Sequence, residues 1–249
     1  MQYYYRRACP SKSFLKVAIH QPQYFPYPGF FHKLTMADVF VIMDDAQYDK
    51  RYTNRNKILN PQGPLELTVP INKAHKFLPN MSVEINNSLP WRGDHWKKIQ
   101  TSYSNAKSFH LYRDYFKALY EKEWGRLFEL DLETTKKTIE WLGMKLAIVK
   151  ESELKVEGKS TERLINVCKK LGADTYISGS GGASYLDEGL FEKSGIRLVY
   201  QTYAPKPYPQ RFSKTFVPNL SIIDMLANVG PDSINFIVGA QNDLTSNSV

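Results

Sequence analysis

The stretch Lys16–Lys57, KVAIHQPQYFPYPGFFHKLTMADVFVIMDDAQYDKRYTNRNK, decides the fold. Val17 to Ile19 is a short apolar strand that stops at His20, Gln21 and Pro22. Asp38 to Met43 is a second strand, and it stops at Asp44, Asp45, Gln47 and Tyr48. Between them lies a turn carrying Pro22, Tyr24, Pro26, Tyr27, Pro28 and Gly29, then an amphipathic helix over Phe30 to Met36. The prolines stiffen that turn, because each fixes its own φ and pushes the preceding residue toward extended geometry. Two apolar strands that end in polar bursts place a histidine, two carboxylates and amides at the carboxyl ends of buried strands. In open parallel sheets that edge is where ligands bind.

Downstream, Leu65 to Ile71 and Met81 to Ile85 alternate as half-buried strands do, and predict an antiparallel excursion at the sheet edge. The polar segment between them, which holds His75, reads as a mobile loop. From Trp91 to Gly143 the apolar period becomes three to four residues, which predicts helices over about 91–104, 109–124 and 131–142. From Met144 the pattern is βαβαβ: strand Leu146 to Val149, helix Lys159 to Leu171, strand Thr175 to Ile177, helix Leu186 to Lys193, strand Ile196 to Tyr200. Strands separated by such helices predict a Rossmann-like, mostly parallel α/β sheet, with a helical insertion at 90–143 and the antiparallel excursion. A short helix over Ser221 to Asn228 is the last element expected. The reading is one α/β domain over 16–230, an N-terminal extension over 1–15 and a fraying tail over 231–249.

At 249 residues with a formal charge of +8, the chain can bury a large core and attract anions. The basic residues are spread out, and neither a basic helix nor an RNA-type aromatic motif is present, which disfavours nucleic acid as partner. No apolar run approaches the roughly 18 residues of a membrane helix, and the N-terminus lacks an apolar signal core. Cys9 and Cys168 stand in no disulfide or metal-ligand pattern, as in a reducing compartment. Cytoplasmic localisation is the expectation. No spacing of the HExxH kind supports a metal, and no cofactor is specified.

The candidate chemistry gathers at three places. His20, with Gln21 beside it, has the position of a general base, a donor to a phosphoryl oxygen or a metal ligand. Adjacent residues of an extended chain point to opposite faces, so one of Asp44 and Asp45 faces a pocket and holds a hydroxyl, an ammonium or Arg55, while the other starts a turn. Asn54, Arg55 and Lys57 form either a clamp for phosphate or carboxylate or a charged surface. The third place is the run Ser178, Gly179, Ser180, Gly181, Gly182, Ala183, Ser184, Tyr185, directly after a strand and before a helix. Glycines there admit close approach of a ligand and free amides favour an anion, although the spacing matches neither the P-loop nor the dinucleotide fingerprint. Near the end, Tyr208 and Gln210 flank a rigid turn. Asp224 lies among apolar neighbours, either fastening a loop or orienting His20 or a substrate amine.

The blocks HQPQYFPYPGFFHK, ADVFVIMDDAQYDK with NRNK, SGSGGASYL, YPQ and LSIIDMLANVG occur in matching order from about Lys16 to Gly230, and together they resemble the WbqC-like family. The resemblance implies a cytoplasmic bacterial enzyme of O-antigen, surface-polysaccharide or secondary-metabolite biosynthesis, one that acylates or aminoacylates an amino sugar. On that reading the small-molecule substrate is a nucleotide-linked sugar or an activated acyl donor. Its diphosphate is held by the glycine turn and by Arg55 and Lys57, its sugar rests against Tyr24 and Tyr27, and His20 deprotonates the amine. Two alternatives stay open: an adenylate-forming or nucleotidyl-transferring enzyme, whose HxGH motif this chain lacks, and a non-catalytic nucleotide-sugar binding module.

Overall fold

In the computed structural model, residues 14–72 and 77–239 are described. The chain divides into two interleaved units. Unit 1 takes the residues up to Gln21, His32–Ala46 and Met144–Tyr203; unit 2 takes Pro22–Phe31, Gln47–Gly143 and the chain from Ala204 onward.

Unit 1 is built on five strands: β1 (Lys16–His20), β2 (Val39–Ile42), β5 (Ala147–Lys150), β6 (Thr175–Ser178) and β7 (Arg197–Tyr200). Their order is β5-β2-β1-β6-β7, and every pairing is parallel. Numbered in chain order within the sheet, this is 3-2-1-4-5, the order of mononucleotide-binding α/β folds. The chain leaves β1 in one direction and later returns to its other side. The topological switch point therefore lies between β1 and β6.

Helix α1 (Pro28–Thr35) follows the proline turn, and the division between the units falls within it. The short α5 (Glu151–Leu154), α6 (Ser160–Leu171) and α7 (Glu188–Lys193) complete unit 1. Its core joins Val17, Ile19, Val39, Val41 and Val149 of the sheet to Ile165, Cys168 and Leu171 of α6 and Phe191 of α7. Tyr176 of β6 stacks on Phe191 with ring centroids 5.4 Å apart. β2 is buried along its whole length, as a central parallel strand must be. Cys168 is packing: fully buried, its thiol is pushed up to about 12.

Unit 2 contains the hairpin β3 (Arg55–Asn60) and β4 (Gly63–Thr68), then α2 (Trp91–Tyr103), α3 (Arg113–Glu121), α4 (Leu127–Trp141), α8 (Ile222–Val229) and α9 (Ser233–Val238). Phe25, Phe109 and Phe116 form its aromatic centre. Phe25 takes a left-handed φ of 42°, which strains any side-chain-bearing residue. Its carbonyl is clamped by Asn56 Nδ2 at 2.6 Å and Ser221 Oγ at 3.0 Å.

The parallel α/β sheet and a separate antiparallel pair agree with the sequence reading, but the antiparallel partners differ. β4 covers the first part of the expected Leu65–Ile71 strand, and it pairs with β3 across a tight turn at Pro61 and Gln62. Arg55 and Lys57, expected in a clamp or a charged surface with Asn54, lie at the start of a strand. Met81 to Ile85 makes isolated bridges, Ile71 with Ile85 and Glu84 with Arg126, rather than a continuous ladder. The stretch after Gly230 does not fray at once, because α9 runs to Val238 and buries Ile237. The loop histidine, His75, lies outside the described residues.

Candidate functional site

The expected site residues fall in both units. In unit 1, His20 ends β1, Asp44 and Asp45 follow β2, and Ser178 and Gly179 end β6, so the three groups occupy carboxyl ends of neighbouring strands. The backbone ties them: Met43 N donates to His20 O at 2.9 Å, and Gln201 N, just beyond β7, donates to Ser178 O at 2.7 Å.

His20 is half-buried, and its Nδ1–H donates to the carbonyl of Gln21 at 2.9 Å. That bond fixes the tautomer and leaves the lone pair on Nε2. Burial, with the nearby Lys33 charge adding to it, pushes the imidazole down to about 3. The ring is therefore uncharged at neutral pH and presents an acceptor rather than a cation.

The two aspartates are spent differently. Asp44 is buried, and its oxygens accept from Ser152 N at 2.9 Å and Ser152 Oγ at 2.6 Å, tying the end of β2 to α5. Asp45 is exposed and meets Arg163 at 3.1 Å, and the same guanidinium bonds Glu151 at 2.7 Å. Neither carboxylate holds Arg55.

The serine/glycine run forms a short 3-10 turn over Ser180–Ser184. Gly182 N donates to Gly179 O at 2.9 Å, and Tyr185 N and Leu186 N both donate to Gly182 O. The start of α7 is closed by Asp187, whose side chain accepts from Leu190 N at 2.9 Å. These bonds use the amides of Gly182, Tyr185, Leu186 and Leu190 inside the protein. Gly182 leaves room for its neighbours: a Cβ there would overlap Ser178 Oγ and press on Leu186 Cδ1 unless those side chains moved. Gly181 is exposed with open space around it, and Tyr185 is 69% exposed.

In unit 2, Tyr24 is fully buried and bonds His95 Nδ1 at 3.0 Å and the Tyr120 phenol. It is interior packing rather than a surface for a sugar. Tyr27 is half-buried. Asn54 is buried and donates to Val69 O at 2.8 Å. Arg55 crosses the hairpin to Glu66 at 3.3 Å, Lys57 is exposed on the same strand, and Gln47 is exposed and bridges Pro79. Asp224 is buried and accepts from Tyr103 at 2.8 Å, Tyr208 at 2.8 Å and Gln210 at 3.0 Å. Burial raises its carboxyl pKa while these three donors oppose the rise. Of its two expected uses, the structure shows the fastening of a loop.

Two further residues of α1 also stand in unit 1, Lys33, which the sequence reading passed over, and His32, a weaker candidate than His20. Lys33 on α1 is buried, and its Nζ donates to Ile19 O at 3.1 Å; burial lowers its pKa to about 7. His32 is buried beside Gln201, whose Nε2 lies 2.8 Å from its Nδ1. The signal was present in FFHKL, where a lysine three residues after Phe30 and next to Leu34 shares the apolar side of a sheet-covering helix.

A parallel sheet in the 3-2-1-4-5 order, packed against helices, defines an α/β protein. Residues 21–236 match the model of the WbqC-like protein family, and the chain belongs to that family. It is 32% identical over 225 residues to a Mycobacterium tuberculosis (strain ATCC 25618 / H37Rv) protein named as the uncharacterized protein Rv1507c, which covers 89% of this chain and 97% of that protein. No solved structure matches the chain. Among the described residues, no helix is long and apolar enough to cross a membrane and no group of three or more His, Cys, Asp or Glu is placed to hold a metal ion.

Proposed function

We propose that the protein is a transferase that acylates or aminoacylates the amine of a nucleotide-linked amino sugar, in bacterial surface-polysaccharide or secondary-metabolite biosynthesis in the cytoplasm. His20 in unit 1 is the base. The observation that carries this reading is the place and state of that side chain. It stands at the switch point, and its Nδ1–H is committed to Gln21 O, which puts the lone pair on Nε2.

The amine nitrogen attacks the acyl carbonyl carbon. The C–N bond forms, the bond from the carbonyl carbon to the leaving group breaks, and the proton shed by the nitrogen passes to His20 Nε2. Asp44 acts only by holding the end of β2 to Ser152.

The test incubates the purified protein with amino-sugar nucleotides and a panel of acyl and aminoacyl donors, and reads amide formation by mass spectrometry. His20→Ala is expected to keep its melting temperature and lose at least about a hundredfold in turnover. Equal turnover in that variant removes His20 from the mechanism.

The strand order favours one second reading, since mononucleotide-binding sheets share it. An adenylate-forming enzyme built on the same rim exchanges labelled pyrophosphate into ATP when given its acid, which a simple acyl transferase does not do.

A further inference from the structure

Two neighbouring side chains of α1 are buried without the partners their chemistry requires. Lys33 is 3% exposed, and the carbonyl of Ile19 accepts one of its three ammonium protons. Among the described residues no carboxylate stands within ion-pair reach of it. Taking an ammonium out of water without a counter-charge costs several kcal/mol, and folding does not retain such an arrangement cheaply. His32 is fully buried as well. Gln201 donates to its Nδ1, so the ring proton sits on Nε2, and that atom has no partner. Gln21 Oε1, one residue beyond β1, is a third buried polar atom left without one.

Their anchors place them together in the fold. Ile19 lies at the end of β1, and Gln201 lies just past β7, tied through its amide to Ser178 O at the end of β6. β1, β6 and β7 are consecutive in the sheet, and neighbouring strands are about 4.8 Å apart. The anchors of Lys33 and His32 thus both stand near the carboxyl ends of this run of three strands, and Gln21 follows the first of them.

We propose that Lys33 and His32 form a binding subsite for an oxyanion, the phosphate or carboxylate group of a small-molecule substrate. An oxyanion supplies the missing counter-charge to Lys33 and accepts from His32 Nε2–H, and charge-assisted bonds of this kind are the strong ones. A cationic ligand is repelled by Lys33, and a neutral carbonyl leaves the charge uncompensated. Gln21 Oε1 accepts from whatever hydroxyl or N–H adjoins the anion. The site deepens the transfer reading, on which it rests for the molecule that carries the oxyanion but not for binding itself.

The experiment measures melting temperature and calorimetric affinity of the full chain with sodium phosphate, sodium diphosphate and sodium acetate, against sodium chloride at equal ionic strength. A saturable rise in melting temperature is expected with the phosphates or with acetate, because a ligand that binds only the folded form stabilises it. A response to the phosphates alone assigns the subsite to the nucleotide side, and a response to acetate alone assigns it to a substrate carboxylate. Lys33→Met is expected to melt at or above the wild-type temperature without anion, and to bind the anion at least about tenfold more weakly. Gln201→Glu places a carboxylate beside His32 and is expected to suppress the response in the same way, which keeps the test open should Lys33→Met not fold. An equal anion response in wild type and both variants, or none in wild type, overturns the subsite. His20→Ala is expected to keep the anion response, and wild-type protein that binds the anion yet forms no amide with any donor retires the transfer reading while leaving the subsite intact.

Discussion

Tyr103 donates its phenol proton to Asp224 Oδ1 at 2.8 Å while its oxygen accepts from Leu59 N at 3.0 Å. One buried carboxylate therefore fastens α2, α8 and the hairpin strand β3, and with Tyr208 and Gln210 it also fixes the segment before α8. Asp224→Ala removes the acceptor of two buried phenols, while Gln210 Nε2 keeps the carbonyl of Val217 at 3.0 Å, and an unsatisfied buried donor costs about 1–3 kcal/mol. A loss on the order of 3 kcal/mol or more is expected from urea unfolding followed by circular dichroism. Asp224→Asn keeps one carbonyl acceptor and should lose less. A loss under about 0.5 kcal/mol for the alanine variant would show that the network contributes nothing.

The elements legible in the sequence are those whose burial follows a simple period. β1 and β2 read as strands because their apolar runs are buried on both faces and stop at polar residues. α6 reads as a helix because Leu164, Ile165, Val167, Cys168 and Leu171 keep one face, and its end at Gly172, with φ of 68°, follows from the glycine. β3 was hidden because Ile58 and Leu59 are buried in succession, which breaks the alternation, while Arg55 and Lys57 looked like a surface patch. Met81 to Ile85 alternates without forming a ladder, since periodicity reports burial and not pairing.

The site was legible as far as chain order reveals strand ends: His20 and Ser178 mark the switch point. Which partner each carboxylate takes was not legible, because Ser152, the partner of Asp44, lies more than a hundred residues away, in a four-residue helix with no period to detect. Lys33 was overlooked for a related reason. Lysines are almost never fully buried, so composition argues for surface at the position where packing places one inside.

Gly182 and Ser178 form a pair that one substitution should disrupt and a second should partly repair. A methyl group at position 182 overlaps Ser178 Oγ and comes within 3.0 Å of Leu186 Cδ1. Gly182→Ala is expected to lose about 1–3 kcal/mol, the usual cost of overpacking. Ser178→Ala removes the clashing oxygen and leaves a contact of 3.3 Å to Cβ, so the double variant should recover part of the loss. The measurement is a double-mutant cycle on urea midpoints, and strictly additive losses would contradict the steric account.

Acid should unsettle the protein while most carboxylates are still ionised. Burial lowers His20 to about 3, His95 to about 4, and His32 by a smaller amount. Unfolded imidazoles take up protons near pH 6.5. Between there and the folded values the unfolded chain binds more protons, so stability falls as pH falls. His95, only 2% exposed, accounts for on the order of 3 kcal/mol by pH 4. The melting temperature should drop steadily from pH 7.5 to pH 4.5, and His95→Gln should flatten part of that slope. A flat profile in the wild-type protein would refute the assignment of these rings as buried and neutral.

Asp131 on α4 acts with the opposite sign, which allows the two effects to be separated. It is fully buried, neither carboxyl oxygen has a hydrogen-bond partner among the described residues, and burial raises its pKa well above the usual range. The unfolded carboxyl ionises near 3.9 while the folded one keeps its proton, so over that interval the folded state binds more protons and loses stability as pH rises. Asp131→Asn has the same shape and no charge to suppress. It should gain stability over wild type at pH 8 and gain little at pH 4, where both forms are neutral. The difference of the two urea midpoints at each pH isolates the carboxyl, because the histidines titrate alike in both proteins. A gain that is equal at the two pH values would mean that the carboxyl is paired in solution, and a loss at pH 8 would mean that its charge is used.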